Sequence, residues 1–296
     1  MPDIRPRRSV LYMPGANARA LEKARSLPAD AIIVDLEDAV APDAKAAARE
    51  QVVAALRQGG YGHREVVMRV NAPDTPWGED DLKAAVEAVP DAVLIPKVSD
   101  AATLTSVGHR LRRLGAPEKI RVWAMIETPL AILRCEEIAR AARDVDTRLA
   151  CFVMGTNDLA KETRARLVPG RAPMLPWLAT AVAAARAHGL DILDGVYNGL
   201  QDEAGFRAEC EQGRDLGFDG KTLIHPNQIG PANDIFAPAP EEVEEARAVI
   251  AAFAQPENRG KGVISLNGRM VERMHADIAA RTVALAEAIA AGSGGP

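Results

Sequence analysis

Cysteine is scarce in this sequence, and no two cysteines lie close together. The three are Cys135, Cys151 and Cys210, and no C-x-x-C pair occurs. An odd number of widely spaced thiols excludes a dense disulfide framework and gives no support for a structural zinc site. We therefore expect reduced thiols and a cytoplasmic protein.

The sequence also lacks the positive charge that binds nucleic acids or anionic membranes. The 296-residue chain has a net charge of −5 and a pI near 5.7. Nucleic-acid and membrane surfaces require a basic footprint, and the N-terminal basic run, residues 5–8, is short. No apolar run has membrane-spanning length, and MPDIRPRRSV contains no apolar signal-peptide segment. We expect neither nucleic acid nor a membrane as a partner.

Short apolar segments recur along the chain and alternate with helical segments. Eight of them read SVLYM, AIIVDLE, EVVMRVN, AVLIPKV, RVWAMIE, ACFVMGTND, LDILDGVY and KTLIH. Strands that alternate with helices predict parallel βαβ units, and eight units predict an α/β fold, the closed (β/α)₈ TIM barrel. An open doubly wound sheet is the alternative, but no G-x-G-x-x-G follows the first strand.

The C-terminal part of the chain departs from this alternation. Residues 259–271 predict a hairpin with Asn267-Gly268 as its turn, and residues 270–291 predict a long periodic helix. We therefore predict a catalytic barrel domain over residues 1–235. Residues 236–296 are expected to form C-terminal helices and a lid that packs on its own or a neighbouring barrel.

Charged side chains stand at the C-terminal ends of most predicted strands, where barrel active sites lie. They are Asp35, Glu37, Asp38, Arg69, Lys97, Glu127, Asp158, Asp194 and Lys221. Because exposed ion pairs at a barrel rim are common, we interpret about half of these residues as structural. The ring as a whole predicts a functional site.

Glu127 and Asp158 are expected to lie on adjacent strands and to share a divalent metal ion. Carboxylate oxygens without a nearby thiolate favour a hard ion, Mg²⁺ or alternatively Mn²⁺. Glu37 and Asp38 would then bind metal-coordinated water or the guanidinium of Arg69.

Three further strand-end residues have alternative roles. Arg69 suits a bidentate hold on a carboxylate or a polarised carbonyl. Lys97 follows Pro96 and stands where some barrels have a Schiff-base lysine, but carboxylates around it should keep it charged. We therefore favour an electrostatic role for Lys97. His225 is expected to be a hydrogen-bonded wall residue.

Several motifs, in order along nearly the whole chain, resemble those of a known family. RSVLYMPG, DLEDAVAPDAK, ETP, VMGTNDLA and GFDGKTLIHPNQI are similar to motifs of the citrate lyase beta subunit-like family, within the HpcH/HpaI aldolase superfamily. The resemblance implies a (β/α)₈ barrel that uses Mg²⁺ to act on short hydroxyacyl-CoA thioesters. It also implies assembly as a homotrimer or homohexamer.

The resemblance also implies roles for individual residues. Glu127 and Asp158 would be the metal ligands, with Glu127 also facing the substrate, and Arg69 would hold the acyl group. Tyr12, Asn17 and Lys23 would approach the CoA, although the family often has an arginine at the position of Asn17.

The lid motif separates branches of the family. Lyases carry M-V-D-x-P, whose aspartate acts as acid or base in a neighbouring subunit, whereas this chain has Glu272 in M-V-E-R-M-H. This variant resembles the thioesterase branch, which hydrolyses (3S)-malyl-CoA to (S)-malate and CoA. Glu272 would then be the general base, with Arg69, Glu37 and Asp38 as further catalytic residues. His275 would assist it or be a helix-surface residue.

Two other activities remain open from the sequence. Glu272 would serve equally in a carbon–carbon lyase that cleaves malyl-CoA, β-methylmalyl-CoA or citramalyl-CoA. A citrate lyase beta subunit would instead act on a carrier-bound substrate inside a complex. A barrel kept only as a CoA-binding module conflicts with the intact pair Glu127 and Asp158.

Overall fold

The computed structural model describes residues 4–293, which fall into two compact units. One unit is Arg7–Asp234, and the other contains residues 4–6 and 235–293. In the first unit all eight predicted strands form: β1 (Ser9–Pro14), β2 (Ala31–Asp35), β3 (Glu65–Arg69), β4 (Ala92–Ile95), β5 (Arg121–Ile126), β6 (Leu149–Met154), β7 (Asp191–Asp194) and β8 (Gly220–Leu223). The strands are parallel and form a closed barrel in sequence order, in which β8 pairs with β1. The predicted TIM barrel is confirmed.

Helices connect the strands, and one more follows β8. They are α1 (Ala18–Ala24), α2 (Lys45–Gln58), α3 (Gly78–Ala88), α4 (Ala101–Arg113), α5 (Pro129–Leu133), α6 (Cys135–Arg140), α7 (Thr156–Thr163), α8 (Leu175–Ala187), α9 (Glu203–Leu216) and α10 (Ile229–Phe236). Side-chain caps begin several of them: the Thr128 hydroxyl accepts the Ala131 N–H, with Pro129 in the first turn. Within residues 4–293, no helix has the length and apolarity to cross a membrane.

The barrel interior is filled by inward-facing side chains from successive strands. Its core contains Val10, Ala31, Ile33, Val67, Leu94, Trp123, Met125, Cys151, Val153 and Leu193. At the amino end, the Arg7 guanidinium stacks 5.0 Å from the Trp123 ring and donates to both carboxylate oxygens of Glu65. This ion pair covers the amino end of the core, so the carboxyl end is the one that presents ligand-binding side chains.

The C-terminal unit is built from α11 (Pro240–Ala254), β9 (Val263–Leu266), β10 (Arg269–Glu272) and α12 (Arg273–Ser293). The predicted hairpin is confirmed, and Asn267 and Gly268 have φ of 50° and 77°, as a two-residue turn with left-handed residues requires. The long helix begins at Arg273 rather than Met270, because residues 269–272 pair with β9. The domain boundary at residue 235 remains a prediction.

Candidate active site

A cavity of about 380 Å³ opens among the loops that follow the barrel strands. It is lined by Tyr12, Pro14, Asp35, Asp38, Ala39, Arg69, Met125, Met154, Gly155, Thr156, Asn157, Asp158, Val196, Thr222 and Ile224. The structure thus brings together four of the predicted site residues: Tyr12, Asp38, Arg69 and Asp158. Among the described residues, Asn17 and Lys23 do not line this cavity.

Arg69 and Asp35 form a buried bidentate ion pair. The parallel register of β2 and β3 places the two residues side by side. Arg69 Nε donates to Asp35 Oδ1 at 2.7 Å and Nη2 donates to Oδ2 at 2.6 Å. Asp35 also accepts the backbone N–H groups of Glu37 and Ala39. Asp35 therefore orients both the guanidinium and the loop after β2, a role that the sequence analysis missed.

The other two carboxylates of the loop after β2 face the same guanidinium. Arg69 Nη1 lies 2.8 Å from Glu37 Oε2 and 3.3 Å from Asp38 Oδ2. The Lys45 ammonium fixes this loop by donating to the carbonyls of Leu36 and Glu37. Burial raises the pKa of Glu37 to about 7, although Arg69 opposes the shift. Glu37 is thus a carboxyl group that can exchange a proton near neutral pH.

The remaining surroundings of Arg69 keep it charged and aimed at the cavity. Its guanidinium lies 4.9 Å from the centre of the Tyr12 ring, and Nη1 is 3.9 Å from Met125 Sδ. Burial by itself opposes the charge, but Tyr12, Asp35 and Glu37 outweigh it and raise the pKa of Arg69 well above its ordinary value. A permanent cation at the cavity wall suits an anionic ligand group or a polarised carbonyl.

Glu127 follows β5 and is held by two backbone segments. Its Oε1 accepts the N–H of Lys97 at 2.7 Å. On β6, Met154 is the register partner of Ile126, so Gly155 lies beside Glu127; a Cβ at Gly155 would be 2.3 Å from the Glu127 Cβ. Burial raises the pKa of Glu127 to about 7, against the opposing charge of Lys97.

Asp158 lies in the first turn of α7 rather than at a strand end, because β6 stops at Met154. The Lys97 ammonium contacts both candidate metal ligands, at 2.5 Å from Asp158 Oδ1 and 3.8 Å from Glu127 Oε2. Burial opposes its charge, but the hydrogen bond to Asp158 and the charge of Glu127 outweigh burial and raise the pKa of Lys97. A raised pKa disfavours the Schiff-base alternative and agrees with an electrostatic role.

The carboxylate pair fits a magnesium ion. Within residues 4–293, no group of three or more histidine, cysteine or acidic side chains is placed to hold a metal ion. Mg²⁺ is commonly held by only one or two carboxylates, with water and substrate oxygens completing its shell. The contact of one ammonium with Glu127 and Asp158 shows that a cation can be shared by the two.

The other predicted site residues occupy different environments. The Asn17 side chain caps α1 by accepting the Ala20 N–H at 3.1 Å, and Lys23 is exposed. Glu272 lies at the end of β10, and its backbone N–H donates to His275 Nδ1 at 2.9 Å. His275 therefore binds the backbone of Glu272. The binding and catalytic roles given to Asn17, Lys23 and Glu272 stay predictions.

Asp194 and Lys221 belong to a buried structural network. Asp194 ends β7 as predicted, but the prediction for Lys221 is wrong, because it is the second residue of β8 rather than its C-terminal end. Asp194 accepts from Arg171 Nη1 at 2.7 Å and from Lys221 Nζ at 3.0 Å, and Lys221 also contacts Glu209 at 2.7 Å. Burial would raise the pKa of Asp194, but Lys221 and Arg171 outweigh it and the pKa is lowered. His225 accepts a backbone N–H two residues further on, as expected of a wall residue.

The chain is similar to curated enzymes along almost its whole length. It is 54% identical over 286 residues to a (3S)-malyl-CoA thioesterase of Cereibacter sphaeroides, covering 97% of this chain and 96% of that protein. It is 38% identical to the citrate lyase subunit beta of Escherichia coli, covering 90% of this chain and 89% of that protein.

A solved structure and a family model agree with these relatives. The protein CitE from Mycobacterium tuberculosis, crystallised with magnesium, acetoacetate and coenzyme A, has a TM-score of 0.74 and 27% identity. The match covers 94% of this chain and 97% of that chain. Residues 8–226 match the family model described as HpcH/HpaI aldolase/citrate lyase. The chain therefore belongs to the HpcH/HpaI aldolase/citrate lyase family.

Proposed function

We propose that this protein is a Mg²⁺-dependent thioesterase that hydrolyses (3S)-malyl-CoA to (S)-malate and CoA. The observation that carries the proposal is 50–54% identity to (3S)-malyl-CoA thioesterases over 97% of the chain. Identity to citrate lyase beta subunits is lower, at 36–38%. The cationic Arg69 and the carboxylate of Asp158 in one cavity support an anionic, metal-chelating acyl group.

The carboxylates of Glu127 and Asp158 have a different role from the guanidinium of Arg69. Glu127 and Asp158 would hold Mg²⁺, which would supply positive charge to an anionic acyl group. Arg69 donates to the thioester carbonyl oxygen and is kept in position by its bidentate bond to Asp35. A fixed cation there stabilises negative charge on that oxygen as the carbonyl becomes tetrahedral.

The hydrolytic step needs a base for water. Glu272 accepts a proton from water while the water oxygen bonds to the thioester carbon. The C–S bond then breaks. The CoA thiolate leaves and takes up that proton, so malate and free CoA are the products. Glu37 and Asp38 contact Nη1 of Arg69 and are catalytic residues together with it. Burial raises the pKa of Glu37 to about 7.

We propose that residues 236–296 form C-terminal helices and a lid, which closes on its own or a neighbouring barrel. Large apolar side chains exposed on this unit support an assembly of copies: Val263, Met270, Met274 and Ile278. We propose a homotrimer or homohexamer, which light scattering on the purified protein would measure. The three buried free cysteines support a reducing cytoplasm as its compartment.

The proposal is tested with protein freed of metal by EDTA and dialysis. Incubation with (3S)-malyl-CoA should release almost no thiol until MgCl₂ is added, with MnCl₂ as a second activator. E127Q and D158N should stay inactive at saturating Mg²⁺, whereas K83M, which alters an exposed ion pair on α3, should match the wild type. Thiol release by metal-free protein at the full rate would refute the role of Mg²⁺.

A further inference from the structure

We infer that Lys97 is an internal counter-ion that occupies the carboxylate pair and must be displaced when the divalent ion binds. The inference rests on the metal site proposed above and extends it to a residue that the hydrolytic mechanism leaves unused. It concerns the affinity of the metal site.

The contacts of Lys97 single it out from an ordinary rim lysine. Its ammonium lies 2.5 Å from Asp158 Oδ1 and 3.8 Å from Glu127 Oε2, so it touches the same two carboxylates that the proposal assigns to Mg²⁺. Its backbone N–H separately holds Glu127 Oε1. The main chain of Lys97 therefore fixes one ligand, while its side chain neutralises both.

Access to Glu127 requires a side chain to move. Glu127 is only 1% exposed, and Gly155 packs so closely that a Cβ there would be 2.7 Å from Glu127 Oε2. The backbone at Gly155 directly follows β6 and is fixed by its N–H, which donates to the carbonyl of Ile126. The Lys97 side chain, in contrast, is 37% exposed and carries its ammonium on a flexible stem. The ammonium is the neighbour that can leave.

Two cations cannot share these oxygens without strong repulsion. Binding of a divalent ion therefore competes with Lys97, and the lysine weakens the affinity of the free enzyme for Mg²⁺. With both carboxylates ionised, the carboxylate pair and Lys97 together carry one negative charge. When a divalent ion replaces the Lys97 ammonium at the pair, that negative charge is removed and the site can attract an anionic acyl group. The backbone conformation of Lys97, with φ of 56°, is unusual for a residue with a side chain.

Calorimetric titration of the full-length protein with MgCl₂ at pH 8 tests this inference. K97M should bind Mg²⁺ at least fivefold more tightly than the wild type, because the competing charge is gone and the apolar stem is kept. K83M is the matched control, since Lys83 makes an exposed ion pair with Asp80 at 2.9 Å, and its affinity should stay within twofold. E127Q should bind at least tenfold more weakly.

The outcomes separate the inference from the metal site itself. Equal or weaker Mg²⁺ binding by K97M, with E127Q still weakened, overturns the role of Lys97 and leaves the metal site standing. Equal binding by the wild type and E127Q removes the metal site, and the inference falls with it.

Lysine labelling of the wild type gives an answer even if K97M does not fold. Acetylation with acetic anhydride, read by peptide mass spectrometry, should modify Lys97 at least threefold faster at saturating MgCl₂ than in its absence. Lys83 should react at the same rate in both conditions. A Lys97 rate that does not rise with Mg²⁺ overturns the inference.

Discussion

Glu127 lies so close to the main chain at Gly155 that a Cβ there would be 2.3 Å from the Cβ of Glu127. A contact of this kind cannot be relieved by a rotamer change at the tip of the side chain. We therefore predict that G155A displaces the Glu127 carboxylate, lowers Mg²⁺ affinity at least tenfold and lowers thioester hydrolysis in parallel. Calorimetry with MgCl₂ and a thiol-release assay measure the two effects.

The matched control for that variant is G230A. Gly230 lies in α10, and a Cβ there would have no neighbour within 4 Å. G230A should keep wild-type Mg²⁺ affinity and turnover. If G155A binds Mg²⁺ as well as G230A does, close packing against Gly155 does not position Glu127.

The ion pair of Asp35 and Arg69 predicts a stability effect. D35N removes the charge from the bidentate partner of a buried guanidinium, a change that typically costs about 3–5 kcal/mol. Urea unfolding should show this loss in the free energy of unfolding, together with weaker binding of the acyl-CoA. D80N, which alters an exposed pair with Lys83, should unfold as the wild type does. Wild-type stability for D35N would mean that Asp35 does not hold Arg69.

The pKa of Glu37 predicts the acid side of the pH–rate profile. Burial raises this pKa to about 7, so the ionised form that binds Arg69 is lost as the pH falls through 7. At saturating Mg²⁺, which keeps Glu127 ionised, kcat/KM should fall below pH 7 and level off above it. E37Q cannot ionise and should flatten this limb. An unchanged acid limb in E37Q would assign it to another group.

The proposed base predicts a separation of chemistry from metal binding. E272Q cannot accept a proton, so turnover should fall by on the order of 100-fold or more, while Mg²⁺ affinity stays at the wild-type value. E257Q, an exposed glutamate of the same C-terminal unit, is the control and should leave both unchanged. Full turnover by E272Q would remove Glu272 from the mechanism.

Much of the barrel could be predicted because its signals are local. Alternating apolar and helical segments located all eight strands, and Asn267-Gly268 located the hairpin turn, since each pattern depends on neighbouring residues. The start of α12 was misplaced at Met270 because pairing between β9 and β10, a non-local contact, takes residues 269–272. The predicted end of β6 is wrong because α7 begins at Thr156, with only Gly155 between it and Met154.

The candidate site could be predicted by residue type but not by contact. Arg69, Asp38 and Asp158 line one cavity, because strand order places the loops at one end of the barrel. The roles of Asp35 and Gly155 depend on strand register and on interatomic space, which residue types do not encode. Parallel pairing of two strands that end in Asp35 and Arg69 was the signal that could have identified the ion pair.

The most direct test of the proposed activity is the fate of the malyl carbon chain. Purified protein, Mg²⁺ and (3S)-malyl-CoA are incubated, and free thiol, glyoxylate and acetyl-CoA are measured in the same samples. A thioesterase releases thiol and malate in equal amounts, with no glyoxylate and no acetyl-CoA, and this is the predicted result. Glyoxylate and acetyl-CoA in stoichiometric amounts, without free thiol, would contradict it and make the protein a carbon–carbon lyase.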